Sequence, residues 1–210
     1  MDKQLIKWNK VFLEYGDKKP KYDDWLDKFE NISEKSKNMP IVDLGCGSGN
    51  DTLYLYERGF DVISCDYAIE ALNRLKYFIP EPKTKLFTMR SGLPFEDDCA
   101  KVLIADLSLH YFSKKQTDSI LREISRVLVS GGYLLCRLNS IKDTNHGAGQ
   151  GIQIEDNFFD IDGNKKRFFD RNHVDMFFES WILEYVNECE MNRYSEKKIV
   201  WEIAARNSNE

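Results

Sequence analysis

The chain lacks any apolar run long enough to span a membrane, and residues 1–10 contain no signal-peptide core. It also lacks a C-x-x-C pair. The five cysteines, Cys46, Cys65, Cys99, Cys136 and Cys189, are scattered and odd in number. Without a secretion signal, such a set reads as reduced thiols in the cytoplasm. Positive charge is not in excess: 30 Lys and Arg stand against 35 Asp and Glu, for a net charge of −5 and a pI near 5.4. A dedicated nucleic-acid binder would usually be basic. Nucleic acid is therefore disfavoured as the main substrate, with a local basic face left open. No internal repeat and no low-complexity segment is found. The 210 residues, 42% hydrophobic and 31% charged, suit one soluble globular domain with a full core.

The informative stretch is 41–55, IVDLGCGSGNDTLYL. A short apolar run (Ile41, Val42, Leu44) ends in three alternating glycines, Gly45, Gly47 and Gly49. A helical pattern starts at Asn50 and Asp51, with Leu53, Leu55 and Tyr56 on its apolar face. The reading is strand, tight turn, helix. Glycines let the backbone turn sharply and approach a ligand that a Cβ would exclude. The helix behind the turn points free N–H groups at that ligand. Asp43 stands just before the turn, where its carboxylate would repel a pyrophosphate and attract an ammonium group. The third glycine comes one place too early for G-x-G-x-x-G, and no Gly-Lys-Ser/Thr follows as in a P-loop. Cys46, inside the turn, is expected to act through its backbone.

A second strand, 60–65, closes on Asp66. This acid falls about twenty residues past the glycines, where βαβ nucleotide binders hold ribose hydroxyls. The plainer alternatives are a solvated strand-end carboxylate or a cap on the next helix. Tyr67 follows, an aromatic suited to stacking.

Taken in order, 2–15 is patterned as an amphipathic helix with Leu5, Trp8, Phe12 and Tyr15 on one face. A second helix follows Pro20, with Trp25, Leu26, Phe29 and Ile32 inward, and 33–38 is a polar linker. The plain reading of Trp8 and Tyr15 is core packing; the sharper one is that they roof a ligand pocket. A helix is expected over 68–79 (Ile69, Leu72, Leu75 and Ile79 inward), then a short strand over 84–88. Residues 102–105 form a near-continuous apolar run ending at Asp106, as in a central parallel strand. Ser113-x-x-Gln116 is a capping box opening the next helix, which Gly131–Gly132 ends. Strand 133–138 follows, with the facing of Cys136 left open. Residues 145–151 are a glycine-rich loop. Two strand-like runs flank Asp162-Gly163 within 157–169; Phe158 and Phe169 at the end positions exclude a calcium loop. A helix over 170–179 carries His173 as a structural histidine. Strands 181–191 and 197–205 close the fold, and 206–210 is a polar tail. This alternation predicts an α/β three-layer sandwich, its open sheet mostly parallel. Asp43, Asp66, Thr88, Asp106 and Asn139 all fall at strand ends, where such sheets bind ligands.

Residues 42–55, 60–72 and 103–138 resemble the class I S-adenosylmethionine (SAM) methyltransferases, and the resemblance runs from about Met39 through Arg206. The texture GCGSGNDTLYLYERGFDVISCD looks most like the small tellurite-resistance and thiopurine methyltransferase-like enzymes. The family implies a Rossmann-like sandwich with an antiparallel strand at one edge, which 197–205 would supply. It also implies that the turn of Gly45, Cys46, Gly47 and Gly49 holds the methionine part of SAM, with Asp43 near its amino group and Asn50 and Asp51 also binding the cofactor. Asp66 would hold the ribose, Tyr67 and Met89 would flank the adenine, and Asp106 and Leu107 would line the sulfonium. Two departures stand out. The acid that many relatives carry near the end of the third strand is replaced by Thr88, Met89 and Arg90. The Phe-Asp pair that often opens the fourth strand is Ala100-Lys101.

In the chemistry so implied, SAM offers an electrophilic methyl group, and the protein aligns an acceptor lone pair and excludes water. A thiolate or oxyanion acceptor needs no strong base; an oxygen or nitrogen acceptor benefits from one. His110 is the candidate base, its alternative role that of a packed or capping histidine. Trp8, Tyr15, Tyr111, Arg137 and Asn139 are candidates to face the acceptor; Arg137 reads equally as a strand-edge charge. The Asn/Asp-Pro-Pro-Tyr/Phe motif of amino-methylating enzymes is absent, as is a Pro-Cys nucleophile. Asp106 and the acids of 155–162 lack the context of a catechol-type metal site, so no metal is expected. The expected product is one domain, 1–210, with an N-terminal helical extension (1–38) and a substrate-side insertion (140–180). It would transfer a methyl group from SAM to a small-molecule acceptor, leaving S-adenosylhomocysteine, with no membrane involved. The alternative from another class is a catalytically inactive SAM-binding regulator or partner. An NAD oxidoreductase is disfavoured by the glycine spacing. The acceptor and the oligomeric state are not specified by the sequence.

Overall fold

The computed structural model describes residues 2–208. Helix α1 (Lys3–Tyr15) starts where the Asp2 side chain accepts from the Gln4 amide at 2.9 Å and stops at Gly16. The second expected helix is instead three short pieces: a 3-10 turn (Trp25–Phe29), α2 (Glu30–Ser33) and a further 3-10 turn (Glu34–Ser36), so the expected polar linker is partly helical. Trp25, Leu26 and Phe29 are all buried under the sheet, and the Trp25 indole donates to Asp51 at 3.0 Å, which fixes this irregular path.

The α/β unit follows as β1 (Ile41–Leu44), α3 (Asn50–Glu57), β2 (Val62–Asp66), α4 (Ile69–Leu75), β3 (Lys83–Leu86), β4 (Ala100–Asp106), α5 (Lys114–Val127) and β5 (Leu128–Asn139). A small antiparallel sheet of β6 (Ile152–Glu155), β7 (Phe158–Ile161) and β8 (Asn164–Arg167) comes next, then α6 (Arg171–Phe177), β9 (Trp181–Met191) and β10 (Lys198–Asn207).

Seven strands form the main sheet in the order β3-β2-β1-β4-β5-β10-β9. The first five are parallel. β10 runs antiparallel to β5, and β9 antiparallel to β10, so the reversal lies at that edge as expected, with β9 outermost. Alternate side chains feed two cores. Val42, Leu44, Leu103, Ala105 and Cys136 pack towards α5 and α6. Ile41, Val102 and Ile104 pack towards Trp25, Phe29 and Leu55.

Four expectations need correction. Ile69 is 42% exposed; Ala68 and Ala71 are buried instead, against Phe12 of α1. Gly131–Gly132 does not end the helix, which stops at Val127. The pair sits inside β5, where the pairing with β4 shifts register and a Cβ on Gly132 would meet the Lys101 carbonyl oxygen at 3.0 Å. β6 adds a strand to those expected; its Ile152 and Ile154 alternate with Gln153 and Glu155, yet both are exposed. Arg206 and Asn207 belong to β10 rather than a tail, whose residues 209 and 210 lie outside the described residues. Among the described residues no helix is long and apolar enough to cross a membrane.

Candidate functional site

The strand order reverses between β1 and β4, and a cavity of about 290 Å³ opens there at the carboxyl ends. Its floor is the glycine turn. The amides of Gly45 and Cys46 donate to the Cys65 carbonyl at 2.8 and 2.9 Å, which staples the turn to β2. The three glycines have φ of +74°, +51° and +83°. A Cβ on Gly45 would lie 2.5 Å from Ser108 Cβ, and one on Gly49 2.3 Å from Leu75 Cδ2. On Gly47 it would make ordinary contact with the Phe12 ring, at 3.6 Å, and with the Gly45 carbonyl oxygen, at 3.9 Å. Gly47 is thus the one of the three where a Cβ meets no clash.

Carboxylates surround this floor. Asp43, 1% exposed, accepts from the Thr52 hydroxyl at 2.6 Å. Burial pushes its carboxyl up to about 7, the charges of Asp106 and Asp66 adding to the shift and the Thr52 bond opposing it. Burial raises Asp66 as well, against the pull of its bonds from the amides of Ala68 and Gly47. Asp51 is pushed well up by burial and by Asp106. Asp106 goes the other way: burial alone would raise it, but Arg137 and Arg193 hold it far below the usual carboxylate range.

Those two arginines form a buried network. Arg137 Nε lies 2.7 Å from Asp106 Oδ1, and its Nη1 2.5 Å from Asp23 Oδ2. Arg193 Nη1 lies 2.7 Å from Asp106 Oδ2, and its Nη2 2.7 Å from Asp23 Oδ1 and 3.4 Å from Asp51. The network joins β4, β5, the N-terminal segment and the β9–β10 connection.

Most of the expected residues meet at this cavity. Asp43, Gly45, Cys46, Gly47, Asn50 and Asp51 line it. So do Asp66, Tyr67, Met89, Asp106 and Leu107. Trp8, Tyr15 and Tyr111 close over them; Trp8 stacks on Phe12 at 5.6 Å and meets Tyr111 edge-on at 6.0 Å. Gly49 stands behind, as the N-cap of α3.

Besides Gly49, three expected residues do not reach the cavity. His110 is 3% exposed and packed behind Tyr111, with ring centroids 4.1 Å apart. Burial, with Lys198 and Lys166 nearby, drives its pKa well below the usual value. Arg137 is 1% exposed, its guanidinium spent on Asp106 and Asp23. Asn139 is also 1% exposed.

The lining also includes Phe12, Ser108, Arg193 and Tyr194, which sequence reasoning did not place there. Phe12 had a signal, since it shares the apolar face of α1 with Trp8 and Tyr15. Arg193 and Tyr194 had none. They arrive because Val200 of β10 pairs with Asn139 at the end of β5, so the β9–β10 hairpin turns at the same edge as the parallel strands end.

Residues 42–136 match the profile of the methyltransferase-domain family. Over that segment, under half of its length, the chain is similar to a methyltransferase domain. An uncharacterised methyltransferase of Synechocystis is 32% identical over 97 residues, 46% of this chain and 45% of its own. The chain spans about half the length of the curated relatives it matches. The fold of a SAM-dependent methyltransferase from Methanosarcina mazei superposes with a TM-score of 0.73 at 20% identity, covering 87% of this chain and 98% of that one. TehB from Haemophilus influenzae gives 0.61 at 18% identity, covering 88% and 66%. The methyltransferase-domain match stops at Cys136, so Trp8, Phe12, Arg193 and Tyr194 come to the cavity from outside the matched segment.

Proposed function

We propose that the cavity binds SAM and that the protein transfers its methyl group to a small-molecule acceptor in the cytoplasm. It would act as one domain with 1–38 as an N-terminal extension and 140–180 as an insertion on the acceptor side. The observation that carries this reading is the set of four carboxylates, Asp43, Asp51, Asp66 and Asp106, lining a cavity built on a glycine turn. Such a lining repels a pyrophosphate and suits a ligand with ammonium and sulfonium charges. Asp43 and Asp51 would hold the ammonium group, and Arg193 beside them the carboxylate. Asp66 would hold the ribose hydroxyls, with Tyr67 and Met89 against the adenine.

SAM supplies an electrophilic methyl carbon when bound. The chain's residues orient the acceptor and exclude water. Trp8, Phe12, Tyr15 and Tyr111 give the water-excluding roof. They would hold an acceptor lone pair in line with that methyl group. His110 is behind the wall, and its depressed pKa makes it a weak proton acceptor, so it is a poor candidate for general base. The reading therefore favours an acceptor that needs none, such as a thiolate or an oxyanion.

Incubation with SAM and a panel of thiols, oxyanions and small amines tests it. S-adenosylhomocysteine should form with at least one acceptor. Binding of SAM with no turnover on any of them would leave the inactive SAM-binding protein as the better reading.

A further inference from the structure

The charged side chains that line the cavity already have partners. Asp43 takes the Thr52 hydroxyl, Asp66 two backbone amides and Asp51 the Trp25 indole. Arg193 serves three carboxylates, those of Asp23, Asp51 and Asp106. Arg90, also in the lining, lies 3.1 Å from both Asp2 Oδ2 and Gln4 Oε1. The carboxylates can accept further bonds, as the cofactor requires. Neither arginine is left over for an acceptor.

The unused hydrogen-bonding groups are phenols. Tyr67, Tyr111 and Tyr194 line the cavity, and among the described residues none of their hydroxyls has a hydrogen-bond partner. Tyr111 is half-buried, and its ring is held edge-on by Trp8 at 6.0 Å and against His110 at 4.1 Å. Tyr194 is 47% exposed and sits on the β9–β10 connection that Arg193 ties down. Burial raises the Tyr111 pKa, and Tyr194, Tyr67 and Asp66 beside it add to the rise. Tyr111 therefore stays protonated, a donor and not a base. A hydroxyl drawn out of water without a partner is costly, and a ligand oxygen that meets it recovers that cost.

The walls around these hydroxyls include the rings of Trp8, Phe12 and Phe112, which suit stacked or edge-on contact with another ring. An anion there would face four carboxylates, and a second cation would face the sulfonium. We propose that the acceptor is held by an uncharged planar ring bearing a carbonyl or ether oxygen, to which Tyr111 donates a hydrogen bond, with Tyr194 as the second donor at the mouth. This names the handle by which the acceptor is held, not the atom that is methylated. It deepens the methyl-transfer reading and rests on it.

Acetophenone, ethylbenzene and benzoate share a ring and differ in the group it bears. Each is titrated into the full chain, with and without saturating S-adenosylhomocysteine, and followed by ligand-observed NMR. Acetophenone should bind wild type about three- to tenfold more tightly than ethylbenzene, and benzoate more weakly than acetophenone. Tyr111→Phe should bring acetophenone to the affinity of ethylbenzene. Its Tm and its affinity for S-adenosylhomocysteine should stay unchanged, since the hydroxyl has no protein partner to lose. Tyr194→Phe should reduce the preference in part. No binding of acetophenone, no preference for it in wild type, benzoate as the tightest probe, or an undiminished preference in Tyr111→Phe overturns the proposal. Absent binding of S-adenosylhomocysteine defeats the cofactor reading instead, and the titrations without it then read the phenol contact alone.

Discussion

Asp66 Oδ2 accepts a hydrogen bond of 3.0 Å from the Gly47 amide, and its Oδ1 accepts one of 2.8 Å from the amide of Ala68. One carboxylate thus fixes both the glycine turn and the start of α4. An ionised carboxylate has about four acceptor sites, so ribose hydroxyls can still be held. Asp66→Ala should lower the stability of the empty protein by about 1–3 kcal/mol, because the two amides lose their partner. It should also weaken SAM binding about ten- to a hundredfold. Melting curves and calorimetric titrations separate the two effects. A lower melting temperature with unchanged SAM affinity would show that the carboxylate is structural only.

The glycines should respond differently to the same substitution. Gly47→Ala makes only ordinary contacts, so its cost is that of a positive φ, about 1–2 kcal/mol. The fold should survive, and SAM affinity should be lost. Gly45→Ala and Gly49→Ala drive a Cβ to within 2.5 and 2.3 Å of Ser108 and Leu75, so their melting temperatures should fall much further. Comparable melts for all three variants would contradict this division.

Asp43 predicts a proton release. Its folded pKa is raised to about 7 by burial, while an unfolded aspartate ionises near about 3.9. Between those values the folded state keeps a proton that the unfolded chain has lost. This group therefore makes the empty protein less stable as pH rises from about 4 to about 7. A cationic ligand favours the ionised form, so SAM binding near pH 7 should release a proton and tighten as pH rises. Calorimetry in buffers of different ionisation enthalpy measures the release, which should shrink in Asp43→Asn. Heats independent of buffer in the wild type would count against it.

Arg137 tests the ion network. Arg137→Met leaves Asp23 and Asp106 with Arg193 alone, and breaking a buried pair in this way costs about 3–5 kcal/mol. Asp106→Asn in the same chain should return part of that loss. Urea unfolding reads both. An acceptor-binding role would instead raise the acceptor KM with stability intact.

How far the sequence revealed this site depended on how local each signal was. Gly45, Gly47 and Gly49 announce a turn by spacing alone, and Ser113 with Gln116 announces a helix start that the structure shows as reciprocal bonds. Asp43 and Asp66 follow from their distance to that turn. Arg193 and Tyr194 depend on the pairing of β10 with β5 across some sixty residues, which no local pattern encodes. His110 and Tyr111 are neighbours, yet the 3-10 turn sends Tyr111 to the cavity and His110 behind it. Side-chain direction in so short a turn is set by packing against β8. The same holds for Gly131–Gly132, where a bulge in the β4–β5 pairing uses glycines that also suit a helix end.

A calorimetric titration of the wild-type protein with SAM and, separately, with NAD tests the central claim most directly. The carboxylate-lined cavity predicts one-site binding of SAM and no measurable heat from the pyrophosphate-bearing dinucleotide. Binding of NAD as tight as that of SAM, or no binding of SAM, would contradict it.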